Sequence, residues 1–428
     1  MPLKLPKSRA EIERIQRQRK RVAFERASKA PIHKNRLSGI DAAKLDDPKE
    51  WAKIPILTKD ELRAMSPDAF MSEFNTAARA DIMEYWRSGG STGVPLFYPR
   101  TFEDMKYGLL SFARALDLIG LTDDDTAHIS FPLGIHPVGH VFARAAQSKG
   151  IGVNWAGSGA STPSRQQVDL VQSLKPTVWM GMSSYGLHLA NLADASGIDL
   201  SRSSVKIIMT SAEPLSDSKR AKIERAWGAT VHDTFGMTEA GLMGCESAAH
   251  DGHVIWTDMF LIEVLDPDTL QPVPEGEVGT LIVTPLWTNH ATPFIRWSSG
   301  DLVTYRSIGK TEGPFSVFPV LKHALRTTGF FKVRGVNINH PEFEDLMFRL
   351  AGVNDFKCEI VSSDSLDILR TYIEVKRGAD GAAVAADVVR AIKATFEVAT
   401  EIVVLETGTL AREFESAVKA PRFADKRT

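Results

Sequence analysis

A chain of 428 residues with 43% apolar and 24% charged side chains has an ordinary soluble composition and room for two or three domains. A formal net charge of −2 gives no basis for expecting a nucleic-acid or anionic-membrane partner. Two cysteines, Cys245 and Cys358, exclude a disulfide framework, and no apolar run reaches membrane-spanning length, so a reducing, cytoplasmic setting is expected.

The first 70 residues are charged and helical in pattern. "EIERIQRQRKRVAFERASK" at 11–29 is rich in Arg and Lys, but interspersed Glu and periodic Ile, Val and Phe make it a solvated amphipathic helix rather than a basic binding helix. Its early acidic residues do not suit a transit peptide, and the first residues lack a signal-peptide core. In "IPILTKDELRAM", Thr58 can cap a helix whose first turn carries Asp60 and Glu61. "ADIMEYW" reads as the end of a strand or a helix, and it runs into "RSGGSTGVPLFYPRT". That cluster of glycine and hydroxyl residues is either a surface turn or a cradle of backbone N–H groups for an oxyanion. It is not a Walker loop, because Gly-x-x-x-x-Gly-Lys-Ser/Thr does not occur.

From about 104 to 305 helical segments alternate with short β-branched runs. "FEDMKYGLLSFARALDLIG", "SRQQVDLVQSLK", "SSYGLHLANLADASG" and "SDSKRAKIERAWG" have helical spacing, whereas "DTAHISFPL", "PTVWMGM", "VKIIMTSAE" and "ATVHDTF" look like strands. The alternation predicts a large layered α/β domain with a largely parallel sheet. After about residue 253 a β-rich part begins, with "HVIWTDMFLIEVLDPDT" and "GEVGTLIVTPL" as antiparallel strands around a Pro/Gly-rich turn. Beyond residue 330 the pattern is that of a small α+β domain, with a boundary near "HALRTTGFF". Cys245 near His250 and His253 lacks the further thiolates a zinc site needs, so it is read as structural.

Polar clusters close several predicted strands: "TSAEP" at 210–214, "DTFGMTEAG" at 233–241 and "WSSGDLV" at 297–303. Ligands collect at the carboxyl ends of strands in open α/β sheets. Taken in order, "SGGSTGVP", "TSAEP", "FGMTEAG", "IRWSSGDL" and "KVRGVNINHPEFED" resemble the adenylate-forming superfamily, and most closely its phenylacetate–CoA ligase branch. The resemblance extends to "IPILTKDELR" near the front and to "GTLAREFESAVKAPRFADKR" at the end.

That resemblance implies ATP-dependent activation of a carboxylic acid as acyl-AMP, then transfer to coenzyme A to give a thioester, with Mg²⁺ as metal. It also implies an N-terminal ATP- and acid-binding domain over 1–326 and a small, mobile C-terminal lid domain over 327–428. Within the first, residues 1–70 form the helical start and about 253–320 the β-rich part. Ser88, Ser91, Thr92 and Gly93 would form the loop over the β- and γ-phosphates, although Val94 and Pro95 stand where many relatives have a lysine. Glu239 would ligate Mg²⁺, a hard oxygen donor for a hard cation, and Thr238 would bond the α-phosphate. Ala212, Glu213 and Pro214 would line the adenine on one side and Asp233, Thr234 and Phe235 on the other. Asp301 would hold both ribose hydroxyls, a carboxylate fixed by a turn, with Arg326 near ribose and phosphate. Lys419 is the expected catalytic lysine. The hinge departs from the family pattern at Thr328, with Gly329 beside it.

Phe131, His136, Ser211, Gly236 and Met237 are candidates for the acid pocket, and an aromatic, a Met and small residues suit a flat ring. An aromatic or arylacetic acid is therefore expected. Two other readings stay open: an adenylating enzyme that passes the acyl group to an amine or a carrier protein, and a nucleotide-binding protein without catalysis. A homodimer is the assembly the resemblance implies.

Overall fold

In the computed structural model, residues 3–87, 96–324, 330–333, 336–363, 366–414 and 422–427 are described. The chain divides into two compact units that interleave in sequence. One comprises Met1–Asp124, Leu133–Ile151 and His232–Ala324, and the other Asp125–Pro132, Gly152–Val231 and Leu325–Thr428.

The first unit begins with the helix Arg9–Ala27, capped by the Ser8 hydroxyl, which accepts from the Glu11 N–H. Ile12, Ile15, Ala23, Phe24 and Ala27 form its buried face. Two of its cations are used internally, while Arg14, Arg17 and Arg21 are exposed. Arg19 donates to the Leu286 carbonyl and stacks 3.9 Å over Trp287, and Lys20 lies 4.4 Å over Trp51. At Thr58 the anticipated cap is a full capping box with Glu61.

"ADIMEYW" resolves into the strand Ile82–Arg87, which pairs antiparallel with Phe97–Thr101. A second capping box, Thr101 with Asp104, starts the helix Phe102–Leu118 directly after that strand. The sheet of this unit runs in the order Phe260–Leu265, Val278–Pro285, Trp297–Arg306, Val320–His323, His253–Ile255, Gly241–Glu246 and Thr230–Met237. Antiparallel pairing thus starts earlier than the sequence pattern indicates. Thr230–Met237 already pairs back onto Gly241–Glu246, because the short turn 238–240 can only return the chain alongside itself.

In the second unit the strands Gly152–Trp155, Thr126–Ile129, Val178–Gly181 and Ile207–Thr210 are neighbours in that order and parallel. The helices Ser164–Leu174, Ser183–Ala195 and Asp217–Trp227 alternate with them, as the periodicity predicts. Trp179 is fully buried, with its ring 5.5 Å from that of Trp227. A β-carbon on Gly181 would come within 2.3 Å of the Trp179 ring, so the strand needs glycine there.

The C-terminal part of this unit pairs Val353–Ser363 with Leu366–Val375, flanked by Thr400–Leu405 and Phe423–Asp425. Thr409–Phe414 and Phe423–Asp425 are a helix and a strand that the tail sequence did not announce. This lobe packs on the helices Ser183–Ala195 and Asp217–Trp227 through buried polar groups. Asn191 donates to Asp355, which also receives the Arg422 guanidinium at 3.1 Å. Lys222 donates to the carbonyls of Val353 and Asn354, and burial lowers its pKa to about 7. Among the described residues, no helix is long and apolar enough to cross a membrane.

Two features of the second unit are testable. Gly181→Ala overpacks the Trp179 contact and is expected to cost about 1–3 kcal/mol, read as a fall in Tm. His128 is buried between Gln167 and Asn154, and burial lowers its pKa from 6.5 to about 4. The unfolded chain therefore binds this proton first as pH falls. Its contribution is present above pH 6.5 and is lost towards pH 4. His128→Gln should flatten the fall of Tm between pH 7 and pH 4.5; a variant whose Tm falls as steeply as wild type would contradict the assignment.

Candidate active site

The strand Thr230–Met237 and its turn bring Asp233, Thr234, Phe235, Gly236, Met237, Thr238 and Glu239 into one continuous stretch. A bulge in its pairing with Gly241–Glu246 falls between Phe235 and Gly236. Such a bulge re-aims the side chains beyond it. Gly236 is required by the close return of the chain, since a β-carbon there would meet the Gly241 carbonyl oxygen at 2.6 Å.

Phe235 is buried and packs edge-on against His323 at 4.4 Å, with His253 at 5.7 Å. Asp233 accepts from His253 at 3.2 Å, while its own N–H donates to the Glu246 carboxylate at 2.9 Å. Burial opposes charge on His253, yet the hydrogen bond and charge of Asp233, with Glu246 behind, leave its pKa raised. These polar groups fix the walls beside the Phe235 ring.

Glu239 is buried, and burial raises its pKa. One carboxylate oxygen accepts from the Tyr98 hydroxyl at 3.3 Å. Among the described residues, no Lys, Arg or His nitrogen lies within ion-pair distance of it. A desolvated carboxylate in that position fits a hard cation brought in from outside. Thr238, half-buried, precedes it in the turn. Arg100 donates to the carbonyls of both Thr238 and Glu239.

Asp301 lies elsewhere in the element map than expected. It sits inside the strand Trp297–Arg306 and is buried, not in a terminal turn, and it accepts from the Ser299 hydroxyl. Gly300, at φ +79°, is the residue that lets the strand continue through this point. Val303 of the same strand is in register with His323, the residue against Phe235. His136, the N-cap of the helix Pro137–Ser148, is partly buried; burial and then Arg87 lower its pKa.

In the second unit, Phe131 and Ser211 are buried just beyond the strands Thr126–Ile129 and Ile207–Thr210. Ala212 adopts φ +70°, a left-handed backbone uncommon for alanine and often kept at functional sites. Pro214 is exposed. The Glu213 carboxylate accepts from the Ser184 N–H at 2.9 Å and from the hydroxyls of Ser183 and Ser184. It serves as the cap that the helix Ser183–Ala195 lacks at Met182, so this segment presents the backbone around Ala212 rather than that carboxylate. Ser88, Ser91, Thr92, Gly93, Arg326 and Lys419 lie outside the described residues.

Sequence reasoning missed Tyr98, Arg100 and His323, and weighed His253 only as a metal ligand beside Cys245. The available signal was the alternation of Tyr98 and Arg100, which puts both on one face of a strand; no motif marks the two histidines.

Comparison with known proteins bears on the whole arrangement. The family described as AMP-binding enzyme matches residues 23–285. The chain is 26% identical over 398 residues to a phenylacetate-coenzyme A ligase of Pseudomonas putida, covering 88% of this chain and 85% of that one. It is also 26% identical over 443 residues to a phenylacetate-coenzyme A ligase of Escherichia coli, covering 97% and 95%. Among solved structures, a 2-hydroxyisobutyryl-CoA ligase in the postadenylation state superposes with a TM-score of 0.83 at 22% identity, over 97% of this chain and 89% of that one. The family match spans well over half of the sequence and includes the Asp233–Glu239 stretch, and the chain belongs to the AMP-binding enzyme family.

Proposed function

We propose that this chain activates an aromatic or arylacetic acid with ATP and passes the acyl group to coenzyme A. The observation that carries this is the Thr238–Glu239 turn, a hydroxyl beside a desolvated carboxylate that no described cation neutralises, at the end of the strand bearing Phe235. Two relatives that cover most of both chains bear the name phenylacetate-coenzyme A ligase, which supports the acid class and the acceptor.

In the first step a carboxylate oxygen attacks the α-phosphorus of ATP and the bond to pyrophosphate breaks. In the second, the coenzyme A sulfur attacks the acyl carbon, AMP leaves and the thiol proton goes to solvent. Both partners of the first step are anionic, so the site must neutralise charge and align them. Glu239 would hold Mg²⁺, which supplies that neutralisation on the phosphates. Thr238 would hold the α-phosphate by its hydroxyl. Phe235 gives the adenine a flat apolar wall, with Asp233 held beside it by His253. Ala212 and Pro214 are the further adenine candidates that the resemblance names, and Glu213 keeps their segment in place by capping the helix Ser183–Ala195. Asp301 would take the ribose hydroxyls, and the resemblance assigns Arg326 to the ribose and Ser88, Ser91, Thr92 and Gly93 to the outer phosphates. Phe131, His136, Ser211, Gly236 and Met237 are the candidates that the family resemblance offers for the acid pocket. Lys419 is the lysine that, on the resemblance, would bridge the carboxylate and the α-phosphate as charge builds there. We also propose a cytoplasmic setting, consistent with the two buried free thiols, and a homodimer, which the family resemblance implies.

Pyrophosphate release measured over a panel of aromatic, arylacetic and short aliphatic acids tests the substrate class. The expected result is release that depends on ATP, Mg²⁺ and an aryl acid, with thioester formed when coenzyme A is present. AMP formed with thioester absent would favour an amine or carrier acceptor, and no release with any acid would reject the activity. Lys419→Ala should lower adenylate formation by about 10²–10³-fold while thioester formation from supplied acyl-adenylate stays near wild type. Equal loss of both half-reactions would exclude Lys419 as the residue of the first step.

A further inference from the structure

The strand Phe97–Thr101 comes directly after the Gly/Ser segment, and two of its side chains grip the turn that carries Thr238 and Glu239. Tyr98 reaches the Glu239 carboxylate. Arg100, two residues on and therefore on the same face of the strand, reaches the backbone. One guanidinium nitrogen donates to the carbonyls of Thr238 and Glu239, the latter at 3.1 Å, and the other to the Thr288 carbonyl at 3.3 Å. The Thr288 hydroxyl in turn donates to the Ala240 carbonyl at 3.0 Å. Three consecutive carbonyls of the turn are thus taken up by Arg100 and by the residue Arg100 holds.

We propose that Arg100 is a positioning residue for catalysis, orienting the Thr238–Glu239 peptide units so that the Glu239 carboxylate points where the Mg²⁺ of bound ATP lies. The proposal rests on the role given to Glu239 above. Arg100 is 1% exposed, lies 4.5 Å over the Trp86 ring and forms no ion pair among the described residues; its ε-nitrogen has no hydrogen-bond partner there. Its hydrogen-bond acceptors are three neutral carbonyls, and the charges of Asp104, Glu239 and Glu84 only partly offset the cost of burying it, whereas a residue that only filled space could be apolar. What a guanidinium adds is a rigid fork that sets several acceptors at once, together with positive charge beneath a turn built to meet anions. Fixed carbonyls fix the peptide planes, and through them the direction of the Glu239 side chain.

The test is calorimetric titration of ATP into the full-length wild type and the variants R100Q, R100K and E239Q, each with Mg²⁺ and with EDTA, after circular dichroism has verified folding. Wild type should bind ATP more tightly with Mg²⁺, and E239Q should lose that gain. R100Q should lose about tenfold of the gain, the worth of one charge-assisted hydrogen bond, the gain being each variant's own ratio of affinities with Mg²⁺ and with EDTA, so that weaker metal-free binding cancels. R100K, which keeps the charge without the fork, should fall between them. R100Q folded, with the full Mg²⁺ gain while E239Q has lost it, would overturn the role of Arg100 alone. A full gain in E239Q would remove the role of Glu239 and the proposal with it. Should R100Q not fold, R100K decides: a loss of threefold or more supports the proposal, and an undiminished gain overturns it.

Discussion

A carboxylate taken out of water with no described cation in ion-pair contact is held by neutral donors and by the geometry of its own backbone. Glu239 is that group here, and much of the first unit is arranged around it. The hairpin of Ile82–Arg87 with Phe97–Thr101 brings one hydroxyl to its oxygen and one guanidinium to its carbonyls. Tyr98 is itself wedged against Phe70 at 5.0 Å, within an aromatic cluster that includes Phe74 and Phe294. The position of its hydroxyl is therefore set by packing rather than by the bond it makes. On the other side of the turn, Gly236 allows the strand to return closely, and the bulge at Phe235 sets the direction of the chain into Thr238 and Glu239.

Much of the fold was legible because periodicity is a local property. The helices at Phe102, Ser164, Ser183 and Asp217, and the strands between them, are given by apolar spacing and end signals that need no tertiary knowledge. The hairpin at Gly241 was less legible, since its strand continues a run that looks like one more parallel element until the turn at 238–240 reverses it. In the site, the order of the polar clusters carried the information: Asp233 to Met237 lie along one strand, and Thr238 and Glu239 follow in its turn. Long-range partners could not be read. Nothing in "YPRT" says that its arginine is buried under a turn more than a hundred residues away. Likewise, nothing in "TSAEP" says that its glutamate caps the helix Ser183–Ala195.

The second unit shows the same economy with polar groups. Its parallel strands stand on an apolar layer in which Trp179 and Trp227 meet, while the C-terminal lobe is seated on the outer helices by charged groups. Arg422 is held by Asp355 and surrounded by Phe348, Phe356 and Phe414, so its charge is paired on one side and its faces are covered on the others. Among the described residues Lys222 has carbonyl acceptors alone, and burial, with the nearby Arg422, lowers its pKa. A contact of this composition is specific in geometry because each buried donor needs its own acceptor.

The most direct test of the central claim tracks oxygen rather than rate. An aryl acid labelled with ¹⁸O in its carboxyl group, incubated with ATP, Mg²⁺, coenzyme A and the enzyme, should yield AMP carrying one labelled oxygen by mass spectrometry, because the carboxylate oxygen bonded to phosphorus stays there when the thiol displaces AMP. Thioester formed with unlabelled AMP, or with the label in inorganic phosphate beside ADP, would contradict an acyl-adenylate and the account built on it.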